Sequence, residues 1–207
     1  MTWSRVASGA AAASAAALLA LHFVSPEFDP AWRMVSEYAN GGYGWLLTVF
    51  FLGWAASSWA IAVALWSSGS WVVRVGAALV ALSGVGELMG GLFDVNHPWH
   101  GAAFALGVPT LALGAPIVGI ALAVRDRAPL LGVASQAPWI SVGLMAGSFA
   151  LVMSSAQAAG VALTPGEPWG EVPPGVTAVM GWANRLLVAS YLGWTALVAR
   201  HLGARGA

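Results

Sequence analysis

Residues Trp71–Phe93 read WVVRVGAALVALSGVGELMGGLF, and the chain continues through Asp94, Val95, Asn96, His97, Pro98, Trp99, His100 and Gly101. Between Arg74 and Glu87 the run carries no charge. At about 1.5 Å of rise per residue it is long enough, as a helix, to cross a hydrocarbon layer of roughly 30 Å. One acid, Glu87, stands inside it, and Asp94, Asn96, His97 and His100 follow at its end. The stretch thus predicts a membrane-spanning helix with the interior's polarity gathered toward one end.

The same pattern recurs near Val6–Val24, Gly44–Trp66, Trp99–Val124, Trp139–Gly160 and Val176–Ala199. We therefore expect an all-α fold: a polytopic membrane bundle of six transmembrane helices forming one domain over residues 1–207. Composition agrees, because 59% of the 207 residues are hydrophobic, 8% are charged and the mean hydropathy is +0.78. Water-soluble domains are far less apolar. Arg5 followed by an alanine-rich run also fits a cleavable signal. The apolar part continues to Val24, however, beyond the roughly 7–15 residues of a signal core, so a retained span is expected.

Arginine placement orients the bundle, because cytoplasmic loops are enriched in positive charge. Arg5, Arg74, Arg125, Arg127, Arg200 and Arg205 fall at one end and only Arg33 in a loop at the other, which makes both termini cytoplasmic. The acids Glu27, Asp29, Glu37, Asp94, Glu167 and Glu171 gather on the outer side, with Asp126 alone inside. Net charge is zero and there is neither lysine nor cysteine. A nucleic-acid partner is therefore not expected, and a thiolate metal site is excluded.

The outer loop Ser25–Tyr43 carries Phe28, Trp32, Met34, Val35 and Tyr38. It is amphipathic enough to lie along the interface or fold back over the bundle, although a plain connector would read the same way. Trp45, Trp99 and Trp169 on the outer side and Trp66, Trp71 and Trp139 on the inner form an aromatic belt. Trp54, Trp59, Trp182 and Trp194 lie deeper and read as packing residues. In the fourth span Pro109 and Pro116, like Gly107 and Gly114, recur on one helical face, and a kink is expected. Ser141, Ser148 and Ser155 with Gly147 predict a small-residue seam in the fifth span. The proline- and glycine-rich segment from Val161 to Gly175 reads as mobile, and no internal repeat is evident.

The polar residues suggest a site. Glu87 lies roughly 24 Å, and Arg185 roughly 22 Å, above the cytoplasmic boundary by helical rise. An unpaired charge at such depth costs at least about 2.5–3.5 kcal/mol on insertion scales. The two are therefore expected to pair, with Asn184 or Gln157 completing the hydrogen bonds. Ser83, Glu87 and Asp94 fall within about 40° of one another on a continuous helix, making one polar stripe. Asp94, His97 and His100 have a spacing that zinc could use, but Pro98 interrupts it, and capping within a tight loop is the favoured reading, so no metal is expected. His22 and His201 stand near span ends and carry no evident role. Nucleophile motifs and phosphate-cradling glycine loops are absent, so no cofactor is expected.

Ser36-Glu37-Tyr38-Ala39-Asn40-Gly41-Gly42-Tyr43-Gly44-Trp45, then Gly91-Leu92-Phe93-Asp94 with His100-Gly101, and finally Gly181-x-x-Asn184-Arg185 together resemble the bacterial membrane family catalogued as domain of unknown function 998. The resemblance runs from about Leu18 to Leu202, with an unusually short loop between Asp94 and His100. It implies a six-span bundle in a bacterial inner membrane and no particular activity.

The favoured functional reading is an integral membrane protein with an outward-facing polar pocket. Glu87, Asp94, His97, His100 and Arg185 would line it and hold a lipid headgroup or small ligand, with membrane lipids as partners. One alternative is a membrane enzyme acting on a lipid or isoprenoid at the outer leaflet, with Glu37, Glu87, Asp94 or His100 as the general acid or base and Arg185 holding an anionic group. The other is a small-solute or proton-coupled transporter.

Overall fold

The computed structural model describes residues 2–163 and 170–205, so Glu167 and Trp169 lie outside the described residues. Its helices are α1 (Trp3–Val24), α2 (Gly44–Ser68), α3 (Trp71–Leu92), α4 (His100–Asp126), the short α5 (Pro129–Ala134), α6 (Ala137–Ala158) and α7 (Met180–Ala204). A 3-10 helix, Val35–Asn40, lies between α1 and α2, and no strand occurs among the described residues. The chain is all-α, as its apolar runs require. α1 to α4 and the α5–α6 stretch Pro129–Ala158 are each long and apolar enough to cross a membrane. α7 spans 25 residues but does not reach that apolarity. Asn184, Arg185, Arg200 and His201 lower it.

The boundaries shift from those expected for reasons visible in the sequence. α3 stops at Leu92 after Gly90-Gly91, and Phe93 is extended. Asp94 is therefore off the helix, and the stripe of Ser83, Glu87 and Asp94 does not form as one face. Val176–Val179 are not helical; Thr177 N–H donates instead to Ser155 Oγ at 3.0 Å, and the helix begins at Met180.

The tightest crossing is between α3 and α4. A Cβ at Gly86 would stand 2.5 Å from Gly107 Cα, and one at Gly114 would stand 2.9 Å from Gly76 O. Two glycine pairs thus let the backbones touch at two depths. The seam expected in the fifth span is only partly used. Ser141 Oγ meets Ser190 Oγ of α7 at 2.9 Å, but nothing lies within 4 Å of a Cβ at Gly147.

Pro109 and Pro116 sit inside an uninterrupted α4. In the turn ahead of Pro109, Leu106 O accepts from Thr110 Oγ1, Gly107 O from Ser83 Oγ and Val108 O from Tyr191 Oη, at 2.6, 2.7 and 2.6 Å. Neighbouring hydroxyls thereby reinforce the carbonyls of a proline-disturbed turn.

Of the deeper tryptophans, Trp54 and Trp194 are core residues, whereas Trp59 and Trp182 are exposed on the bundle's outside. Trp59 still lies over Gly84, its Nε1 donating to Ala81 O at 3.0 Å. Trp45, Trp99, Trp66, Trp71 and Trp139 are exposed near helix ends, as the belt requires.

Candidate functional site

The loop between α1 and α2 folds back over the bundle as a strap. Phe28, Trp32, Val35 and Tyr38, its apolar residues, are buried, and so is Glu37. Burying loop backbone requires partners for its polar groups, and α7 supplies them. Gly181 N–H donates to Ala31 O at 2.9 Å, and Asn184 Oδ1 accepts from Val35 N–H at 2.8 Å. A Cβ at Gly181 would stand 2.7 Å from Arg33 O, so glycine is what lets the strap lie on the helix.

Arg185 is the centre of this clamp. Its Nε donates to His22 Nε2 at 2.6 Å, one terminal nitrogen donates to Arg33 O at 2.6 Å and Pro30 O at 3.2 Å, and the other donates to Tyr38 Oη at 3.0 Å. The guanidinium also lies 5.6 Å from the Tyr38 ring centroid. The planar fork of donors is what allows one side chain to engage α1 and three points of the strap. Glu37 Oε1 accepts from Met34 N–H at 2.7 Å while its other oxygen pairs with Arg33 at 2.7 Å. Burial nevertheless pushes the Glu37 carboxyl above its ordinary value, outweighing the Met34 hydrogen bond and the charges of Arg33 and Arg185.

The expected pairing of Glu87 with Arg185 is not formed. Helical rise fixes only a depth and leaves the azimuth of each helix open. Arg185 faces the strap and α1, where neutral oxygens and an imidazole satisfy it. Glu87 instead faces Ser83 of its own helix at 2.8 Å, with Ser58 of α2 beside it. Its Oε2 is buried and, like the Ser58 hydroxyl beside the carboxyl, makes no hydrogen bond of good geometry among the described residues. Asn184 serves the strap rather than this pair.

Beneath the strap, between α2, α3, α4, α6 and α7, lies a cavity of about 750 Å³. Glu37, Asn40, Asn96, His97, His100 and Asn184 line it near the loops, and Trp54, Glu87, Val108 and Leu187 line it further in. Asp94 and Arg185 are not on its wall; Asp94 opens on a smaller recess with Gly41, Gly42 and Thr48. Asp94 Oδ1 accepts from Asn96 N–H at 2.9 Å, His97 Nδ1 accepts from Trp99 N–H at 3.1 Å, and His100 Nδ1 bonds Phe93 O at 2.9 Å. These three side chains shape the loop. No group of three or more metal-ligating side chains converges among the described residues.

The segments clamped together here are residues 30–38 and 181–185, and Asn96 Nδ2 of the 93–99 loop donates to Asn40 Oδ1 at 2.8 Å. The family model described as "Protein of unknown function (DUF998)" matches residues 8–201. The chain belongs to that family. No curated protein and no solved structure matches it.

Sequence reading missed His22, and it gave Trp54 a packing role only. His22 holds Arg185 from α1, and its position one turn from the outer end of its helix, like Arg185 near the start of α7, was an available signal. It also missed His201 at the other end, whose Nε2 stands 2.8 Å from Asp126.

Proposed function

We propose that this chain is a six-span protein of a bacterial inner membrane, with both termini cytoplasmic, whose strap-covered cavity opens outward and binds a membrane-derived amphiphile or small ligand. α7 serves as the sixth span, since the strap and α1 cover Asn184 and Arg185, and α6 meets Ser190, while Arg200 and His201 lie at its end. Six of the eight arginines gather at the end away from the strap, which supports the orientation. The observation that carries the binding reading is Glu87: a buried carboxyl, with one oxygen lacking a hydrogen bond of good geometry, on a residue that lines a largely apolar cavity of about 750 Å³. Small-molecule sites commonly occupy roughly 300–1,000 Å³ and place a few polar groups on apolar walls.

The acid–base enzyme reading needs Glu37, Asp94 or His100 free to exchange a proton with a substrate in the cavity. Their hydrogen bonds go to Met34, Asn96 and Phe93, and Asp94 opens on a different recess, so binding is the better-supported reading. The test is native mass spectrometry of the full chain released from lipid nanodiscs. We expect a retained lipid or metabolite that is lost in Gly101→Phe, because Gly101 lines the cavity with open space around it. Equal retention by both proteins would place the adduct elsewhere. Reporter fusions at residues 69 and 205, both cytoplasmic, and at 42, external, test the topology.

A further inference from the structure

Two residues of the cavity wall carry buried polar atoms of opposite sense. Glu87 Oε2 and Trp54 Nε1 each lack a hydrogen-bond partner among the described residues, and both side chains line the cavity. Each residue is 5% exposed. Trp54 stands one helical turn before Ser58, the residue beside the Glu87 carboxyl, so both groups address one part of the cavity. Leaving such groups unpaired is costly, and a native interior rarely does so without a ligand or water to satisfy them.

The chemistry of the complement follows from the hydrogen count. Ser83 Oγ lies 2.8 Å from Glu87 Oε1 and 2.7 Å from Gly107 O, but a hydroxyl has one hydrogen for those two acceptors. Both contacts are bonds when the carboxyl carries a hydrogen and donates to Ser83, which donates to Gly107 O. Glu87 Oε2 is then a neutral acceptor, and Trp54 Nε1 is a donor only. Arg185, the nearest deep cation in sequence depth, is committed to the strap and His22. A hydroxyl satisfies an acceptor and a donor together without bringing charge into this wall, and it is the simplest such group to carry on a hydrocarbon body. The apolar remainder, including Phe50, Phe51 and Phe149, suits a hydrocarbon body.

Building on the amphiphile-binding reading above, we propose that the cavity takes a neutral lipid alcohol, hydroxyl innermost, which donates to Glu87 Oε2 and accepts from Trp54 Nε1. The shared chemistry belongs both to single-chain alcohols and to the free hydroxyl of a diacylglycerol.

The test compares four probes on the purified full chain by native mass spectrometry: 1-dodecanol, 1,2-dioctanoylglycerol, dodecyl methyl ether and dodecylamine. Retention of either hydroxyl-bearing probe about fivefold or more above the ether, the worth of a typical net hydrogen bond, supports the proposal. Which of the two is retained identifies the source. Glu87→Leu should abolish that preference. Glu87→Gln should keep it, because its amide can donate to Ser83 and present a carbonyl to the cavity. Trp54→Phe should weaken it roughly fivefold. Thermal unfolding of each variant confirms that it is folded. If the ether is held as well as the alcohols, or the amine is held best and Glu87→Gln loses it, the hydroxyl assignment fails while the cavity remains a binding site. If no probe is retained by a folded protein, the hydroxyl assignment and the binding reading both fall.

Discussion

Arg185 donates through Nε to His22 Nε2 at 2.6 Å, and His22 Nδ1 lies 2.7 Å from Leu18 O. A guanidinium cannot accept, so His22 must accept at Nε2 and donate from Nδ1, which fixes the neutral ring and its tautomer. α1, the strap and α7 are joined at this point.

The clamp depends on a planar fork of donors rather than on charge alone. Arg185→Lys keeps the charge but cannot reach His22, Tyr38 and the carbonyls of Pro30 and Arg33 at once. We expect a loss of about 2–3 kcal/mol, the scale of charge-assisted hydrogen bonds left unmade. The strap should also open. Trypsin added to the strap side of the membrane should cut after Arg33 faster in the variant, and equal resistance of the two proteins would remove the clamp from the account.

Strap stability should depend on pH through Glu37. Burial raises this carboxyl above its ordinary 4.5, so the folded state holds the proton more tightly than the unfolded chain does. The linkage relation then makes stability fall as pH rises from about 4.5 to the raised folded value, and level off above it. Glu37→Gln should flatten that segment of a pH series of thermal melts. A wild-type profile that rises through the window would reverse the sign and refute the assignment.

Glycines that look alike in the sequence should behave differently. At Gly86 an added methyl meets the Gly107 backbone at 2.5 Å and Ala103 O at 2.7 Å, where no flexible side chain can yield. Gly86→Ala should destabilise by about 1–3 kcal/mol, the range for overpacking. Gly147→Ala meets nothing within 4 Å and should stay within about 0.5 kcal/mol of the parent. Melting temperatures in one detergent decide it, and similar losses for both would mean that α3 and α4 are further apart than described.

These residues also mark what the sequence could and could not disclose. The helices were legible because an apolar run near 20 residues has few other uses. The strap's burial was readable as an option from Phe28, Trp32, Val35 and Tyr38, which alternate with polar residues. Rotation of one helix about its own axis leaves no trace in length or hydropathy. Glu87 and Arg185 for that reason face different neighbours despite their similar helical rise, and Gly147 meets no other helix although it stands in a small-residue run, whereas Gly76, Gly86, Gly107 and Gly114 carry the close α3–α4 crossing. Asp94 was assigned to a helical stripe because Gly90-Gly91 was read as helix interior rather than as its end. Glu87, His97 and His100, which do line the cavity, belong to one continuous segment, whereas His22 meets Arg185 across 163 residues of chain.

The other end of the bundle has its own tie. Asp126, whose side chain is 1% exposed, closes α4 with one oxygen 2.7 Å from Arg125 Nε and the other 2.8 Å from His201 Nε2 of α7. Arg205 approaches the first oxygen at 3.3 Å. Three donors around one carboxylate hold the ends of α4 and α7 together where the apolar packing between them is sparse. Arg125 and Arg205 are exposed enough to turn to water once the acid is gone, with side chains 36% and 51% exposed, so little buried charge is left behind. Asp126→Asn should therefore cost about 1–2 kcal/mol rather than the roughly 3–5 kcal/mol of a fully buried broken pair. His201→Ala should cause a smaller loss, and the double variant should lose less than the sum of the two singles, because they remove one shared contact. Thermal melts of the three proteins measure the coupling, and strict additivity would show that the two side chains act independently.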